Sequence, residues 1–329
     1  MTKKRWLVLS TVILLAAVAA LLLRSHMFNR APEKLRFGVA MTPMSLLVFV
    51  AQEKGLFEKH GLDVSFKEYG AGVLAAAGLL EGEVDMATAI EFHLVLHNLE
   101  GRDLRTIASI SRINDCELIA RKDAGIASAA GLQGKRIATS SATVLEFFLE
   151  YFLAGHGVSL STVTVENLKP GETVDALVSG SVDAMVGFSP YTFQARRKMG
   201  SSVLSWPLQE RQFYYALILT TSGFLKSHPG TAGKFLSALL EAEAFVSEHR
   251  AEAQTVIMRR LGLDEAYTAS VWAQQTYDVR LDQHLLRLME DESRWLLKRS
   301  GGQGIPNYLG HIDWQPLENI EPDAVGLIH

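Results

Sequence analysis

Hydroxyl side chains and small residues meet at four points where a strand-like apolar run changes to a helical one. These points are Thr42-Pro43-Met44-Ser45, Gly70-Ala71-Gly72, Thr88-Ala89-Ile90-Glu91 and Ser140-Ser141-Ala142-Thr143. Backbone N–H groups are free in the first turn of a helix and the helix dipole is positive there, so these segments can hold an anionic group. The glycines let a ligand approach the backbone. N-capping of the helix is an alternative role for each hydroxyl group, and the residues leave both roles open.

A fifth segment, Phe188-Ser189-Pro190-Tyr191, follows a strand whose sequence echoes the strand before Glu91. We expect the two segments to face each other across a cleft. A flat ligand could stack on these rings or on Phe92, Tyr214 or Tyr215. Packing in the core or at a hinge is the commoner role of such rings.

Glu91 is the most specific of the charged candidates. One interpretation is that it binds a ligand amine or ring N–H, and the other is a favourable interaction with the helix dipole, worth about 0.3–1 kcal/mol. Asp115 would add a second negative charge to the cleft or lie in solvent. Arg112 could neutralise Asp115 or bind an anionic group. If both acids face the cleft, a cationic or zwitterionic ligand is favoured over nitrate or a simple alkylsulfonate.

Metal and thiol chemistry have weaker support in the residues. His93 and His97 have the i, i+4 spacing of helical metal ligands, but neither a third ligand nor a zinc-protease pattern accompanies them. We therefore predict no metal and no other cofactor. Cys116 is the single cysteine, which excludes an intramolecular disulfide, and it has no base partner nearby in sequence. We expect a structural role for it, and no catalytic residue.

Strand and helix patterns alternate along most of the chain, and from Pro229 onward the pattern is almost wholly helical before a final segment of loops. Repeated strand–helix–strand units predict an α/β fold with mainly parallel sheets flanked by helices. An internal echo indicates two such units, because residues 80–87 (LEGEVDMA) resemble residues 177–184 (LVSGSVDA). The copies lie about a hundred residues apart, the size of one α/β domain.

Residues 50–64, VAQEKGLFEKHGLDV, resemble the start of the nitrate/sulfonate/taurine and thiamine-pyrimidine-precursor family of periplasmic binding proteins. Further blocks fall where that family has its own, and the order and spacing of the blocks make the resemblance specific. The further blocks are Gly70–Gly72, Glu81–Asp85, Leu132–Arg136, Gly180–Ala184 and Phe224–Pro229. The resemblance extends from about Leu35 to the C-terminus.

The resemblance implies a type II periplasmic binding protein fold, in which two α/β lobes are joined by two crossing strands and the ligand lies between the lobes. We place the crossings near Ser111–Glu117 and Gln212–Tyr215. Lobe one would then be discontinuous, with residues 35–114 plus 216–329, and lobe two would have residues 115–215. The predicted ligand-binding residues, at the junctions and at the first crossing, are Thr42, Met44, Ser45, Gly70, Ala71, Gly72, Thr88, Glu91, Asn114, Asp115, Ser140, Ser141, Thr143, Phe188, Ser189 and Tyr191.

Residues 1–30 have the composition of an export signal. Basic residues at positions 3–5 precede an apolar run over residues 6–23. The run is long for a cleavable signal peptide and just long enough to span a bilayer, so we favour a signal anchor over a cleaved signal peptide. Either one leaves the remainder periplasmic or extracytoplasmic. Residues 1–30 contain five basic residues and no acid, so the exported part would carry −9 rather than −4, which makes DNA and anionic lipid poor partners.

These features predict an extracytoplasmic receptor that delivers a small sulfonate-, amine- or pyrimidine-like molecule to an ABC permease and its ATPase. An alternative is a membrane-anchored sensor that passes its closed state to a signalling partner. A second alternative is a thiamine-pyrimidine biosynthetic enzyme, because that enzyme branch shares the fold, although its cysteine-rich motif is absent from this sequence. No basic run indicates a nucleic-acid surface.

Overall fold

A computed structural model describes residues 31–209 and 212–328, which form two larger β-sheets with helices packed around them. The strands are β1 Glu33–Ala40, β2 Leu62–Tyr69, β3 Met86–Ile90, β4 Arg105–Ile113, β5 Glu117–Arg121, β6 Arg136–Thr139, β7 Thr164–Asn167, β8 Ala184–Gly187, β9 Val203–Pro207, β10 Tyr214–Thr220, β11 Gln275–Thr276, β12 Leu281–Asp282 and β13 Val325–Gly326. The α-helices are α1 Leu46–Glu53, α2 Leu56–Lys59, α3 Gly72–Leu80, α4 Glu91–Leu99, α5 Val144–Gly155, α6 Pro170–Ser179, α7 Tyr191–Met199, α8 Ser222–Ser227, α9 Thr231–Glu248, α10 Arg250–Leu261, α11 Glu265–Gln274, α12 Gln283–Ser300 and α13 Gln315–Glu318.

The two sheets repeat one strand order. The six-stranded sheet of lobe one runs β11-β4-β10-β3-β1-β2, and the five-stranded sheet of lobe two runs β7-β6-β8-β5-β9. In lobe one β1, β2, β3 and β4 share a direction, and β10 and β11 run against them. In lobe two β5 runs against the other four strands. The predicted α/β fold with two mainly parallel sheets is therefore confirmed, and a reversed strand, β10 or β5, holds the same place in each lobe.

Each reversed strand is the first strand after the chain crosses from one lobe to the other. The chain passes from β4 in lobe one to β5 in lobe two, and from β9 in lobe two back to β10 in lobe one. Gln209, which is buried, ties the two connections together. Its Nε2 donates to the Ile113 carbonyl at 2.8 Å, and the Cys116 N–H donates to its Oε1 at 2.9 Å. The two predicted crossings, near 111–117 and 212–215, fall on these connections, which together form one hinge.

An arginine–aspartate pair fastens each lobe in the same way. Asp85, in the turn before β3, accepts from the backbone N–H of Arg36 at 2.9 Å and pairs with its guanidinium at 2.5 Å. Asp183, in the turn before β8, accepts from the backbone N–H of Arg136 at 2.9 Å and pairs with its guanidinium at 3.0 Å. The Val-Asp echo in the sequence thus marks two copies of one structural clasp, which joins β1 to β3 in lobe one and β6 to β8 in lobe two.

The cores of the two lobes differ in extent. In lobe one the ring of Phe235, on α9, stacks on Phe37 and on Phe57 with centroids 4.9 Å apart in each case. This packing belongs to a large buried cluster that reaches through the hinge into lobe two. The other face of the lobe-two sheet has its own small cluster, which includes Ile119 and Leu177. The helices after β10 therefore enlarge the core of lobe one.

The helical segment after β1 is divided into α1 and α2. Gly55 lies between them with φ of 65°, a left-handed conformation that ends α1 and that glycine adopts at little cost. No helix within residues 31–209 and 212–328 is long and apolar enough to cross a bilayer. The predicted membrane segment, residues 6–23, lies outside the described residues.

Candidate functional site

A cleft of about 930 Å³ opens between the lobes, lined by residues from both of them. The lobe-one wall comes from the loop after β1, the loop after β2 and the start of α4, and the lobe-two wall from the starts of α5 and α7. These are ends of strands and beginnings of helices, where ligands of open α/β sheets usually bind. The predicted site residues that line the cleft are Thr42, Met44, Gly70, Ala71, Gly72, Asp115, Ser140, Thr143, Phe188, Ser189 and Tyr191.

The start of α3 combines two features of a binding loop. The first hydrogen bonds of α3 come from the N–H groups of Leu74 and Ala75 to the Ala71 carbonyl, so helix geometry leaves the N–H groups of Gly72 and Val73 free of helical bonds. A Cβ on Gly72 would lie 3.0 Å from the Ala89 Cα. Glycine at position 72 therefore lets α3 pack tightly on β3 while its first turn borders the cleft.

The hydroxyl groups at the start of α5 serve the fold as well as the cleft. Thr143 Oγ1 accepts from the Leu145 N–H at 3.3 Å and donates to the Ser140 carbonyl at 2.7 Å, which is an N-cap. Ser140 Oγ donates to the Leu168 carbonyl at 2.9 Å. Both side chains border the cleft, but these local bonds already use their hydroxyl hydrogens.

Five predicted site residues do not line the cleft: Ser45, Thr88, Glu91, Asn114 and Ser141. Ser45 and Thr88 are buried, and Thr88 Oγ1 accepts from the Ala40 N–H at 2.8 Å and from Ser45 Oγ at 3.2 Å. These two hydroxyl groups therefore join β1, β3 and the turn before α1 rather than reach a ligand.

Glu91 corrects the expectation drawn from its position at a helix start. Its side chain is 0% exposed and lies inside lobe one, where one carboxylate oxygen accepts from the backbone N–H of Tyr215 at 2.6 Å. Burial raises the pKa of Glu91 to about 8. Glu91 therefore neither faces Tyr191 across the cleft nor offers a negative charge to a ligand amine.

Of the two predicted acids, Asp115 lines the cleft, at the first crossing. Asp264 also lines it, and its Oδ1 accepts from the Tyr267 N–H at 2.7 Å at the start of α11. Asp115 is 3% exposed, and its Oδ1 accepts from the Tyr214 hydroxyl at 2.8 Å. Burial raises the pKa of Asp115 to about 7, against the lowering effect of that hydrogen bond. Arg112 pairs with Asp278 at 2.9 Å, not with Asp115. Asp115 therefore takes up or releases a proton near neutral pH and can either accept a hydrogen bond or donate one.

Arg197 and His93 also line the cleft, and neither is among the predicted ligand-binding residues. Arg197, on α7, is exposed and makes no ion pair or hydrogen bond within the described chain, whereas its neighbours Arg196 and Lys198 pair with Glu117 and Asp175. Burial lowers the pKa of His93 to about 4, with His97 adding to the effect, so its imidazole is neutral. The cleft thus has one unpaired guanidinium and a neutral hydrogen-bonding ring.

Most of the cleft wall is apolar. Its apolar side chains come from the loops of both lobes, from α4 and from the connection between α10 and α11, and they are Met41, Met44, Val73, Ile90, Phe92, Leu96, Ile113, Val144, Leu145, Phe188, Phe193, Leu261 and Leu263. An apolar cleft with a few polar groups suits a ligand that has an apolar body and one polar or charged head. Within residues 31–209 and 212–328, no group of three or more His, Cys, Asp or Glu side chains is arranged to hold a metal ion.

Comparison with known proteins identifies relatives of this fold. The family model described as NMT1/THI5 like matches residues 42–253. A Bacillus subtilis protein named for the binding of aliphatic sulfonates is 27% identical over 244 residues, which are 73% of each chain. A Haemophilus influenzae protein named for thiamine biosynthesis is 26% identical over 240 residues, 72% of this chain and 76% of its own. The crystal structure of the periplasmic aliphatic sulphonate binding protein of Escherichia coli superposes with a TM-score of 0.74 at 19% identity, covering 87% of this chain and 99% of that one.

Proposed function

This chain belongs to the NMT1/THI5-like family, and we propose that it is the solute-binding receptor of an ABC importer. The observation that carries the proposal is the cleft of about 930 Å³ between two lobes that one double connection joins. Rotation about such a hinge can close the lobes on a small molecule, and the closed form can then be recognised by a membrane partner.

The chemistry of the cleft favours an organic anion with an apolar body, such as a sulfonate. The free guanidinium of Arg197 can form charge-assisted hydrogen bonds to sulfonate oxygens, and the unbonded N–H groups at the start of α3 add further donors. The apolar walls would bury the rest of the ligand. The names of the relatives from Bacillus subtilis and Escherichia coli support a sulfonate. A simple amine has less support, because Glu91 is buried elsewhere.

Transport fits the cleft better than catalysis by cysteine. Cys116 is 0% exposed and does not line the cleft, and burial raises the pKa of its thiol well above the usual range. A buried thiol that holds its proton is a poor nucleophile. We therefore propose that the chain binds its ligand without changing it.

The receptor would work outside the cytoplasm, together with an ABC permease and its ATPase. We propose that residues 1–30 direct export and that residues 6–23 tether the chain to the membrane. We also propose the division into lobe one, residues 35–114 plus 216–329, and lobe two, residues 115–215. The sheet memberships support that division, since β1–β4 and β10 lie in one sheet and β5–β9 in the other.

A thermal-shift series on the full chain in mild detergent tests the proposal. The probes are hexanesulfonate, taurine, nitrate and a pyrimidine. We expect hexanesulfonate to raise the melting temperature most, because it combines an anionic head with an apolar body. At about a hundredfold excess over Kd, a ligand stabilises the folded chain by about 2.7 kcal/mol. Nitrate lacks the apolar body and should have little effect. A shift with nitrate alone, or no shift with any of the four probes, would count against the proposed ligand class.

A further inference from the structure

Helix α12 packs within lobe one, but its last turns reach lobe two. It lies against α4 and β10 in lobe one and against α5 in lobe two. The Trp295 Nε1 donates to Glu150 at 2.8 Å, and the guanidinium of Arg299 pairs with Glu146 at 3.0 Å. This contact therefore joins the lobes at a second place, in addition to the hinge at Gln209.

The contact has an apolar centre that continues into the wall of the cleft. Trp295 is buried, and its ring contacts Phe92 of lobe one and Phe147 of lobe two, with centroids 6.3 Å and 5.8 Å away. The guanidinium of Arg299 lies over the same ring, 4.7 Å from its centroid. Phe92 lines the cleft, so a change in how α12 meets α5 reaches the cleft wall through a single ring.

Glu146 uses its two carboxylate oxygens for two different parts of the molecule. Its side chain is 4% exposed. Oε1 accepts from Arg299 at 3.0 Å, and Oε2 accepts from the backbone N–H of Ala142 at 2.7 Å. Glu146 is the third residue of α5, so its bond to the preceding turn resembles ordinary helix capping. The bond from Arg299 has no such local explanation, because it comes from the other lobe.

The turn that Glu146 holds, residues 140–143, forms part of the lobe-two wall of the cleft, and we call it the cleft turn. Ser140, Ala142 and Thr143 of this turn border the cleft. Ala142 has φ of 57°, a left-handed conformation that a residue with a Cβ seldom adopts. Such a conformation persists where the surroundings hold it, and the bond to Glu146 supplies that hold. The shape of the lobe-two wall thus depends on Glu146, which is itself held from lobe one.

We propose that Glu146 is a positioning residue for ligand binding. By linking the cleft turn to Arg299, it lets the contact between α12 and α5 hold the lobe-two wall in the shape and orientation that receive the ligand. Glu146 does not line the cleft, so it acts through the turn. Loss of the link leaves a smaller fraction of molecules in the binding arrangement, and the apparent affinity falls in proportion. The affinity readout rests on the proposed receptor function, whereas the orientation of the lobes is measurable without a ligand.

Titration calorimetry of the full chain in detergent, with hexanesulfonate, tests the link. The side chain in Glu146→Gln has one acceptor oxygen and can keep only one of the two bonds, so we expect affinity to fall about three- to tenfold. General electrostatic attraction predicts the opposite sign, because this change removes a negative charge and the ligand is an anion. Arg299→Gln should lose as much affinity. Arg287 is exposed on the same helix and forms no ion pair in the described chain, so the control Arg287→Gln should bind as the wild type does.

The double variant of Glu146→Gln and Arg299→Gln shows whether the two residues act as one link. It should lose no more affinity than either single variant, because each change alone already separates the cleft turn from Arg299. Losses that add in the double variant overturn the proposal, and so does binding by Glu146→Gln that equals or exceeds that of the wild type. Arg299 is partly exposed, so its variant keeps the test available if Glu146→Gln fails to fold.

Spin-label distances test the orientation of the lobes without a ligand. Cys116 is buried, so the labels attach to cysteines introduced by Glu58→Cys in lobe one and Ala127→Cys in lobe two, both at exposed positions. We expect Arg299→Gln to broaden the distribution of distances between the labels and Arg287→Gln to leave it unchanged. An unchanged distribution in Arg299→Gln overturns the role of the contact in orienting the lobes. No hexanesulfonate binding by the wild-type chain would refute the proposed ligand class, while the distances would still decide whether the contact orients the lobes.

Discussion

Lobe one and lobe two are built on one plan but use the same junction differently. In each lobe a helix follows the third strand of the repeated order, and it begins at Glu91 in lobe one and at Tyr191 in lobe two. Helix α12 packs over α4, so the Glu91 side chain is wholly buried. Tyr191 borders the cleft. The first side chain of a strand–helix junction is therefore available to a ligand only where no later part of the chain packs over it.

The largest expected difference between the lobes is in their cores. Phe235→Ala removes the ring stacked between Phe37 and Phe57 and should cost about 3–5 kcal/mol in the free energy of unfolding. Leu177→Ala, in the small cluster of lobe two, should cost about 2–3 kcal/mol, because fewer side chains enclose it. Urea unfolding measures both variants. A larger loss for Leu177→Ala would reverse the ranking of the two cores.

The hinge between the lobes should give stability a pH dependence through Asp115. Its folded-state pKa of about 7 lies above the ordinary value, so the folded chain holds this proton more tightly than the unfolded chain does. Its contribution to stability is complete below about pH 4 and is lost as the pH rises to about 7, at up to about 1.4 kcal/mol per pH unit.

Urea unfolding at several pH values, for the wild-type chain and for Asp115→Asn, isolates this contribution. The pKa values of Glu91 and Glu292 are also raised. The informative quantity is therefore the difference in the free energy of unfolding between the wild-type chain and Asp115→Asn. That difference should decline across the window and level off above it. Parallel pH profiles would mean that Asp115 is not held protonated at the hinge.

The contribution of lobe two to ligand binding can be tested at Arg197. Arg197→Gln should weaken the binding of hexanesulfonate by about 10–100-fold, the effect of losing a charge-assisted hydrogen bond. Lys198→Gln is the matched control, because Lys198 is the next residue and pairs with Asp175 away from the cleft. Titration calorimetry would compare the two. Equal losses would point to general electrostatic attraction rather than a contact in the cleft.

The smallest expected effect tests whether the two arginine–aspartate clasps are equivalent. Asp85→Asn and Asp183→Asn should each cost about 1–2 kcal/mol, since both remove a charge-assisted bond at a partly exposed site. Thermal unfolding of the two variants checks the match. A difference above about 1 kcal/mol between the two variants would show that the same clasp geometry contributes unequally to the stability of the two lobes.

Local sequence patterns were sufficient to predict the two-lobed α/β architecture. The Val-Asp echo predicts two units, and the clasps of Asp85 and Asp183 explain why it recurs. The start of α3 and the Phe188–Tyr191 loop border the cleft, as their glycines and their place after strands indicate. Such features depend on residues that are close together in the chain, which is why a sequence reveals them.

The rest depends on partners that are distant in sequence. Helix α12, which packs against α4, is about two hundred residues away in the sequence, so no local pattern could show that the side chain of Glu91 is buried. The position of Arg197 in the cleft can be predicted only after α7 has been recognised as a helix. Residues 190, 193, 194 and 197 all line the cleft at helical spacing, and that periodicity is the signal that would have predicted its position. Gln209 joins the two crossings across nearly a hundred residues and gives no signal of its own.

The place of β10 in the lobe-one sheet also sets an order of assembly as the chain emerges from the ribosome or an export channel. All five strands of the lobe-two sheet lie within residues 117–207, so that sheet can form as soon as this segment is free. The lobe-one sheet has β10 between β3 and β4, and β10 begins at Tyr214. Its first four strands are thus made early but must wait about a hundred residues for the strand that joins them. The part of the chain synthesised second is the part that is able to fold first.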